Sequence, residues 1–199
     1  MKTKYWLIII LALFVCNANA QKIAIKSNLV YDAAATVNLG VEIGLGKRTT
    51  LDISGNYNAW YTDESQNEKM RHFLLQPEFR YYFCEKMSGH FIGAHAHILQ
   101  FNVCGDQWLM NTFKAASSFG SIEQGDSRYQ GDGYGGGFVY GYSWAVASRL
   151  NIEFAVGAGY LYLDYEKYGP STCDPLIEVA TSHYWGLTKL GVSLVYIIK

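Results

Sequence analysis

The sequence predicts an all-β chain: an eight-stranded antiparallel transmembrane up-and-down β-barrel that follows a signal peptide. Three observations lead there. The N-terminus carries export signals, segment after segment alternates with period two, and the polar face is too rich in glycine and too poor in charge to be a hydrated surface.

The first element is the leader. Lys2 and Lys4 give a positive start, and Tyr5 to Val15 form an apolar run too short to span a bilayer comfortably. Ala18-Asn19-Ala20 supplies a small-residue cleavage site, so residues 1–20 are read as a signal peptide cut after Ala20. A retained anchor helix is disfavoured by the short run. A lipid anchor on Cys16 is disfavoured because Val15, which precedes it, is not small. The remaining residues, 21–199, fit one domain.

Composition narrows the class. After removal of the leader, 14 Lys and Arg stand against 17 Asp and Glu, a charge of −3, which gives no basic footprint for nucleic acid. With 20 Gly, 16 Tyr and only 3 Pro, and no later apolar run of 18 residues, a helical membrane protein is disfavoured.

Strands are expected at roughly 24–33, 37–46, 50–60, 71–83, 90–103, 131–146, 151–165 and 184–198. In the second, Val37, Leu39, Val41, Ile43 and Leu45 alternate with Asn38, Gly40, Glu42 and Gly44; the third, fourth, seventh and eighth repeat the pattern. Pro77 is expected to mark a bulge or a local break, since it removes a ladder donor. Connections at Gly46–Thr49, Cys84–Gly89 and Ala147–Leu150 are short. Those at Tyr61–Met70, Cys104–Gln130 and Glu166–His183 are longer and polar, and only Ala34–Thr36 is short on that second rim. Short turns at one rim and long loops at the other suit a membrane barrel.

A soluble barrel or sandwich would also alternate, with its polar face in water. Here the polar face of the sixth strand reads Gly131, Gly133, Gly135, Gly137, Gly141 and Ser143, while Phe138, Tyr140, Tyr142 and Trp144 point the other way. Hydration does not call for glycine, but a crowded interior does, because large groups on one wall need small ones opposite. Aromatic girdles are expected from Tyr57, Trp60, Tyr165, Tyr184 and Trp185 at the loop rim and from Phe83, Trp144 and Tyr196 at the turn rim.

The candidate site is a lumen charge network of Lys26, Glu42, Asp52, Glu78, Arg80, Glu153 and Lys189, paired because isolated buried charges are costly. A polar core that fixes register is preferred to a conducting pore. His95 and His97, with His72 on the neighbouring strand, could approach a metal, but hydrogen-bonded filler is preferred, and no metal or other cofactor is expected. Ser88, His90 and Glu85 at the turn rim are the candidates for an enzyme, and a polar hairpin is the plainer account. Ser182 and His183 are adjacent and would point to opposite faces. Cys104 and Cys173 lie in two long loops of one rim and are candidates for a disulfide, which Cys84 at the other rim cannot reach. The loop from Cys104 to Gln130 is the longest irregular stretch, and long loops on rigid scaffolds are where binding usually resides.

Five segments carry a resemblance: Lys26-Ser27-Asn28-Leu29-Val30-Tyr31-Asp32, Asn38-Leu39-Gly40-Val41-Glu42, Gln76-Pro77-Glu78-Phe79-Arg80-Tyr81-Tyr82-Phe83, Gly89-His90-Phe91-Ile92-Gly93 and Thr188-Lys189-Leu190-Gly191-Val192-Ser193-Leu194. In that order they resemble an uncharacterised, domain-of-unknown-function family of small outer-membrane β-barrels of Bacteroidales-type bacteria. The resemblance implies an outer-membrane barrel, sometimes associated with fimbrial gene clusters, without an established activity. The expectation is therefore a non-enzymatic outer-membrane protein in contact with outer-membrane lipid, structural or binding a surface or fimbrial protein through its loops. A lipid-modifying enzyme of the lipid A deacylase or acyltransferase type, and a narrow channel, are the alternatives.

Overall fold

The structure is a computed structural model that describes residues 22–59, 61–63, 68–104, 127–169 and 174–198; the side chains of residues 61–63 and 68–70 lie outside it. Its elements are β1 (Ile23–Asn28), α1 (Leu29–Ala33), β2 (Val37–Gly44), β3 (Thr49–Asn58), β4 (Tyr61–Asp63), β5 (Glu68–Tyr82), β6 (Gly89–Cys104), β7 (Arg128–Ala145), β8 (Leu150–Tyr168) and β9 (Leu176–Ile197). Every pairing is antiparallel; strands pair in chain order, with β3 pairing β5 across the short β4, and β1 closes on β9. The short β4 pairs only with β5 and prolongs the line of β3. The chain is therefore all-β, eight antiparallel strands in one sheet that closes in a ring.

The turns after β2, β5 and β7 share one rim with both ends of the described chain, and the remaining connections share the other. The closing seam is short. Five residue pairs join β1 to β9, from Ala24↔Ile197 to Asn28↔Ser193, whereas β8 and β9 share 19 pairs.

Two features depart from the strand expectations, each for a local reason. The first strand was expected to run to residue 33 but stops at Asn28, and α1 takes its place. Asn28 caps the helix by accepting from Val30 N at 3.1 Å. Its amide also satisfies the β9 edge, donating to the Leu190 carbonyl at 3.3 Å and accepting from Val192 N at 3.3 Å. On the other side the Asn38 amide stands in for a strand, pairing with the backbone N–H and carbonyl of Asn28 at 2.6 and 3.1 Å. Two asparagine side chains thus end the β1 ladder without orphaning its groups.

Second, the loop expected at Glu166–His183 is mostly strand, because β8 runs on to Tyr168 and β9 begins at Leu176. A one-residue irregularity at Thr188 hides this in the sequence: Gly157 pairs with Lys189 and Ala158 with Leu187, leaving Thr188 extra. Outward positions on β9 are even-numbered below the bulge (Leu190, Leu194, Tyr196) and odd-numbered above it (Val179, Trp185, Leu187). Tyr184, expected in the outer girdle, therefore points inward and is 2% exposed, and Tyr165 packs against the same interior cluster. Tyr57, Phe83, Trp144, Trp185 and Tyr196 are exposed on the outer face, and Trp60 lies outside the described residues.

Of the two outcomes expected at Pro77, the structure has the break and not the bulge. It pairs with Ile53 of β3, but Gln76 and Pro77 have no ladder partner in β6, and register resumes unshifted from Leu75↔Ile98 to Glu78↔His95. A missing N–H costs bonds on one side and leaves the alternation of side chains intact.

The interior is layered. At the turn rim, Met87 lies beneath the ring with Ala24, Val195 and Ile197. Its backbone is left-handed (φ 62°) and its carbonyl accepts from Ser143 Oγ at 3.2 Å and Asn151 Nδ2 at 2.6 Å. Next come Tyr82, Phe91, Val139 and Ala155. Towards the loop rim, Leu161, Leu163 and Tyr184 pack with Leu99, Phe101 and Tyr165. The β7 glycines make room for the opposite wall. A Cβ on Gly135 would collide with the Tyr160 carbonyl and the His97 ring, and one on Gly141 would meet the Phe91 ring and the Phe154 carbonyl.

Gly141→Val is expected to lower unfolding free energy by about 1–3 kcal/mol through overpacking against Phe91. Gly55→Ala, where a Cβ meets nothing within 4 Å, is expected to leave it unchanged within about 0.5 kcal/mol. Urea midpoints measure both.

Candidate functional site

Between these apolar layers lies an ionic one. Period-two alternation turns Lys26 of β1, Glu42 of β2, Asp52 of β3, Glu78 and Arg80 of β5 and Glu153 of β8 inward, and each is at most 5% exposed. Lys189 of β9, half-buried, reaches the same layer just below the bulge. The structure brings all seven residues together.

Register dictates the problem that the cations solve. Glu42 is the cross-strand partner of Asp52, and Asp52 of Glu78, so three carboxylates stand in a row across adjacent strands. Like charges so placed repel. Arg80 spreads its guanidinium among them: Nε donates to Glu78 at 2.5 Å, Nη2 to Asp52 at 2.8 Å, and Nη1 to Glu42 at 3.1 Å and to Glu153 at 2.9 Å. Lys26 pairs with Glu42 and, at 2.9 Å, with Glu153, while Lys189 donates to Glu78 at 2.6 Å. Thr50 and Tyr82 hydroxyls donate to Glu42 at 2.6 and 2.8 Å, and the Phe91 ring lies 4.6 Å below the Arg80 guanidinium. An arginine fork suits this work because one planar group can serve several carboxylates, where an ammonium acts as a point charge.

Above the ionic layer on the β1–β3 side is a cavity of about 30 Å³, lined among others by Asn38, Asp52, Ser54, Asn56, Gln76 and Lys189. Asp52 Oδ1 and Asn56 Nδ2 are buried and lack a protein partner. The space is polar and has room for one or two waters.

The remaining candidates divide. His95 and His97 are inward neighbours with ring centroids 5.5 Å apart, and His95 Nε2 meets Thr188 Oγ1 at 3.0 Å. His72 is not with them: it faces Phe101, whereas His95 faces Glu78, six positions along β5. Among the described residues no group of three or more His, Cys, Asp and Glu is gathered as a metal ion requires. His90 lies on the outer face with Nδ1 held by the Tyr140 hydroxyl at 2.7 Å, and Glu85 is engaged by Lys22 at 2.8 Å. That hydrogen bond and charge hold the Glu85 carboxyl below the usual range. Ser88 touches Glu85 only through the backbone, so no side-chain relay joins the three. A second outward histidine, His183, repeats the motif, with Nδ1 at 2.6 Å from the Tyr160 hydroxyl. Cys84 is exposed at the turn rim and Cys104 is buried at the end of β6. Cys173 lies outside the described residues, and so does the pairing expected of it.

Sequence reasoning passed over three residues that matter here. Asn28 and Asn38 looked like strand filler, and Met87 like part of a turn. The bulge at Thr188 did leave a signal, namely the switch from odd apolar Trp185 and Leu187 to even apolar Leu190 and Leu194.

Arg80→Met is expected to cost about 3–5 kcal/mol of stability, because it strands buried carboxylates, and Arg80→Met with Glu42→Gln and Glu78→Gln is expected to recover a good part of it. Denaturant unfolding of the three proteins measures the difference.

No curated protein and no solved structure matches the chain significantly. A family model described as protein of unknown function (DUF3575) matches residues 6–198. By that match over nearly its whole length, the chain belongs to the DUF3575 family.

Proposed function

We propose that this protein is an eight-stranded β-barrel of the Gram-negative outer membrane, exported by the leader at residues 1–20. Its work is non-enzymatic: it serves as a structural element and as a surface-binding module at its loop rim. The observation that carries the reading is inverted polarity. The interior holds seven charged side chains in one layer, while Val37, Leu39, Phe138, Trp144 and Trp185 are more than half exposed on the outside. In water the free energy of burial would favour the reverse arrangement, since about 25 cal/mol is gained for each Å² of apolar surface removed from water. Against lipid the outer face is at home, and a closed ring leaves no unpaired backbone in the hydrocarbon.

The apolar layers above and below the ionic one favour a filled interior over a conducting one. Binding is assigned to the loop rim, whose connections are the longest, with a surface protein as the partner.

In cell fractions the protein is expected in the outer-membrane fraction, and its unboiled band is expected to migrate differently from the boiled one. Recovery as a soluble periplasmic protein without a shift would overturn the membrane reading. Deletion of residues 106–128 is expected to reduce cell adhesion without loss of the unboiled band, and unchanged adhesion would count against a binding role for that loop.

A further inference from the structure

The wall of the ring is uneven. A lipid-facing band about 25 Å tall is crossed by roughly ten residues of tilted strand. β2 has 8 residues, but β8 has 19 and β9 has 22. With the turn rim at the lower interface, about half of β9 therefore stands clear of the band at the loop rim. β1 accompanies β9 only along Ser193–Ile197, and the Asn28 amide covers Leu190 and Val192. Beyond α1, the β1-facing side of β9 has no strand beside it among the described residues.

Which groups that edge presents follows from the ladder. Above the bulge, the inward residues Ser182, Tyr184 and Gly186 pair with the inward residues Leu163, Leu161 and Gly159 of β8. Antiparallel alternation then aims the backbone N–H and C=O of Val179, Thr181, His183 and Trp185 the other way, towards the open edge. Natural sheets guard such edges with lysine, proline or a bulge. Leu176 to Leu187 contains no Lys, Arg or Pro, its irregularity at Ile177 lies outside Val179–Trp185, and Ile177 and Val179 are 60% and 62% exposed.

Resting on the membrane orientation argued above, we propose that the free edge of β9 from Val179 to Trp185 is a docking site for an extended strand of a second, surface-exposed polypeptide. That strand adds antiparallel to β9 and continues the ladder that β1 begins. A repeating row of backbone donors and acceptors is matched by another backbone and not by a lipid or a sugar, with side-chain contacts from Ile177 and Val179 adding selectivity. A second copy of this chain is the poorer occupant. Two copies in one membrane are related by an axis along its normal, which sets their β9 strands parallel.

Amide hydrogen exchange of the full-length protein in detergent micelles tests the proposal, with a synthetic alternating Val-Thr peptide flanked by lysines as the probe. In the protein alone, the Val179, Thr181 and His183 amides are expected to exchange at least about 100-fold faster than Ser182 and Tyr184, which bond to β8. Added probe should slow Val179, Thr181 and His183, and Thr181→Pro, which removes one edge donor and no bond to β8, should abolish that protection. Three results overturn the site: protection in the dilute protein alone, protection that rises with protein concentration alone, or none at about 1 mM probe. The gel shift on boiling, read on the same sample, reports the membrane reading separately. A missing shift with intact edge exchange would sink that reading and its orientation, whereas a normal shift with a protected edge would sink only the docking site.

Discussion

Three carboxylates stand side by side across β2, β3 and β5, and Arg80 makes that arrangement tenable. Its donors reach Glu42, Asp52, Glu78 and Glu153, which sit on four different strands. An apolar layer would hold these strands together without choosing among registers, because one leucine packs nearly as well as the next. A guanidinium aimed at four acceptors tolerates no slip, since a one-residue shift would send a carboxylate to the outer face. The charge network thus fixes alignment where the apolar layers only supply cohesion.

The rest of the interior follows from that centre. Tyr82 and Phe91 shield the underside of the guanidinium, and Gly141 must be small because Phe91 lies against it. The four carboxylates outnumber Lys26, Arg80 and Lys189 by one, and the polar cavity begins where that imbalance is greatest, at Asp52. Burial without full pairing is tolerated there because the neighbouring space can be wet.

Much of the fold was legible because alternation is a direct image of a two-faced strand. Val37 to Leu45 and Ile152 to Tyr162 read true from sequence alone. The failures are places where side chains imitate backbone or where one residue breaks the period. Asn28 alternates like any strand residue, yet its amide ends the ladder, and nothing in pattern distinguishes the two roles. Thr188 inverts the parity of everything before it in β9, so Tyr184 was assigned to the wrong face and eight residues of β9, Leu176–His183, were taken for loop. The charged residues were visible as inward positions, but their geometry was not. That Arg80 reaches four acceptors depends on strand stagger, which the sequence does not encode locally.

The five-pair seam between β1 and β9 bears on how the molecule assembles. Every other junction joins segments close along the chain, most across short turns and the farthest, β6 with β7, across residues 105–127. The seam joins Ala24 to Ile197 and must gather almost the whole polypeptide before it yields its first bond. Loop-closure entropy makes it the slowest contact to nucleate, and its brevity gives it little enthalpy in return. The ring is therefore a sheet that grows by neighbours and shuts last, through a strand that holds four pairs to β2 and five to β9.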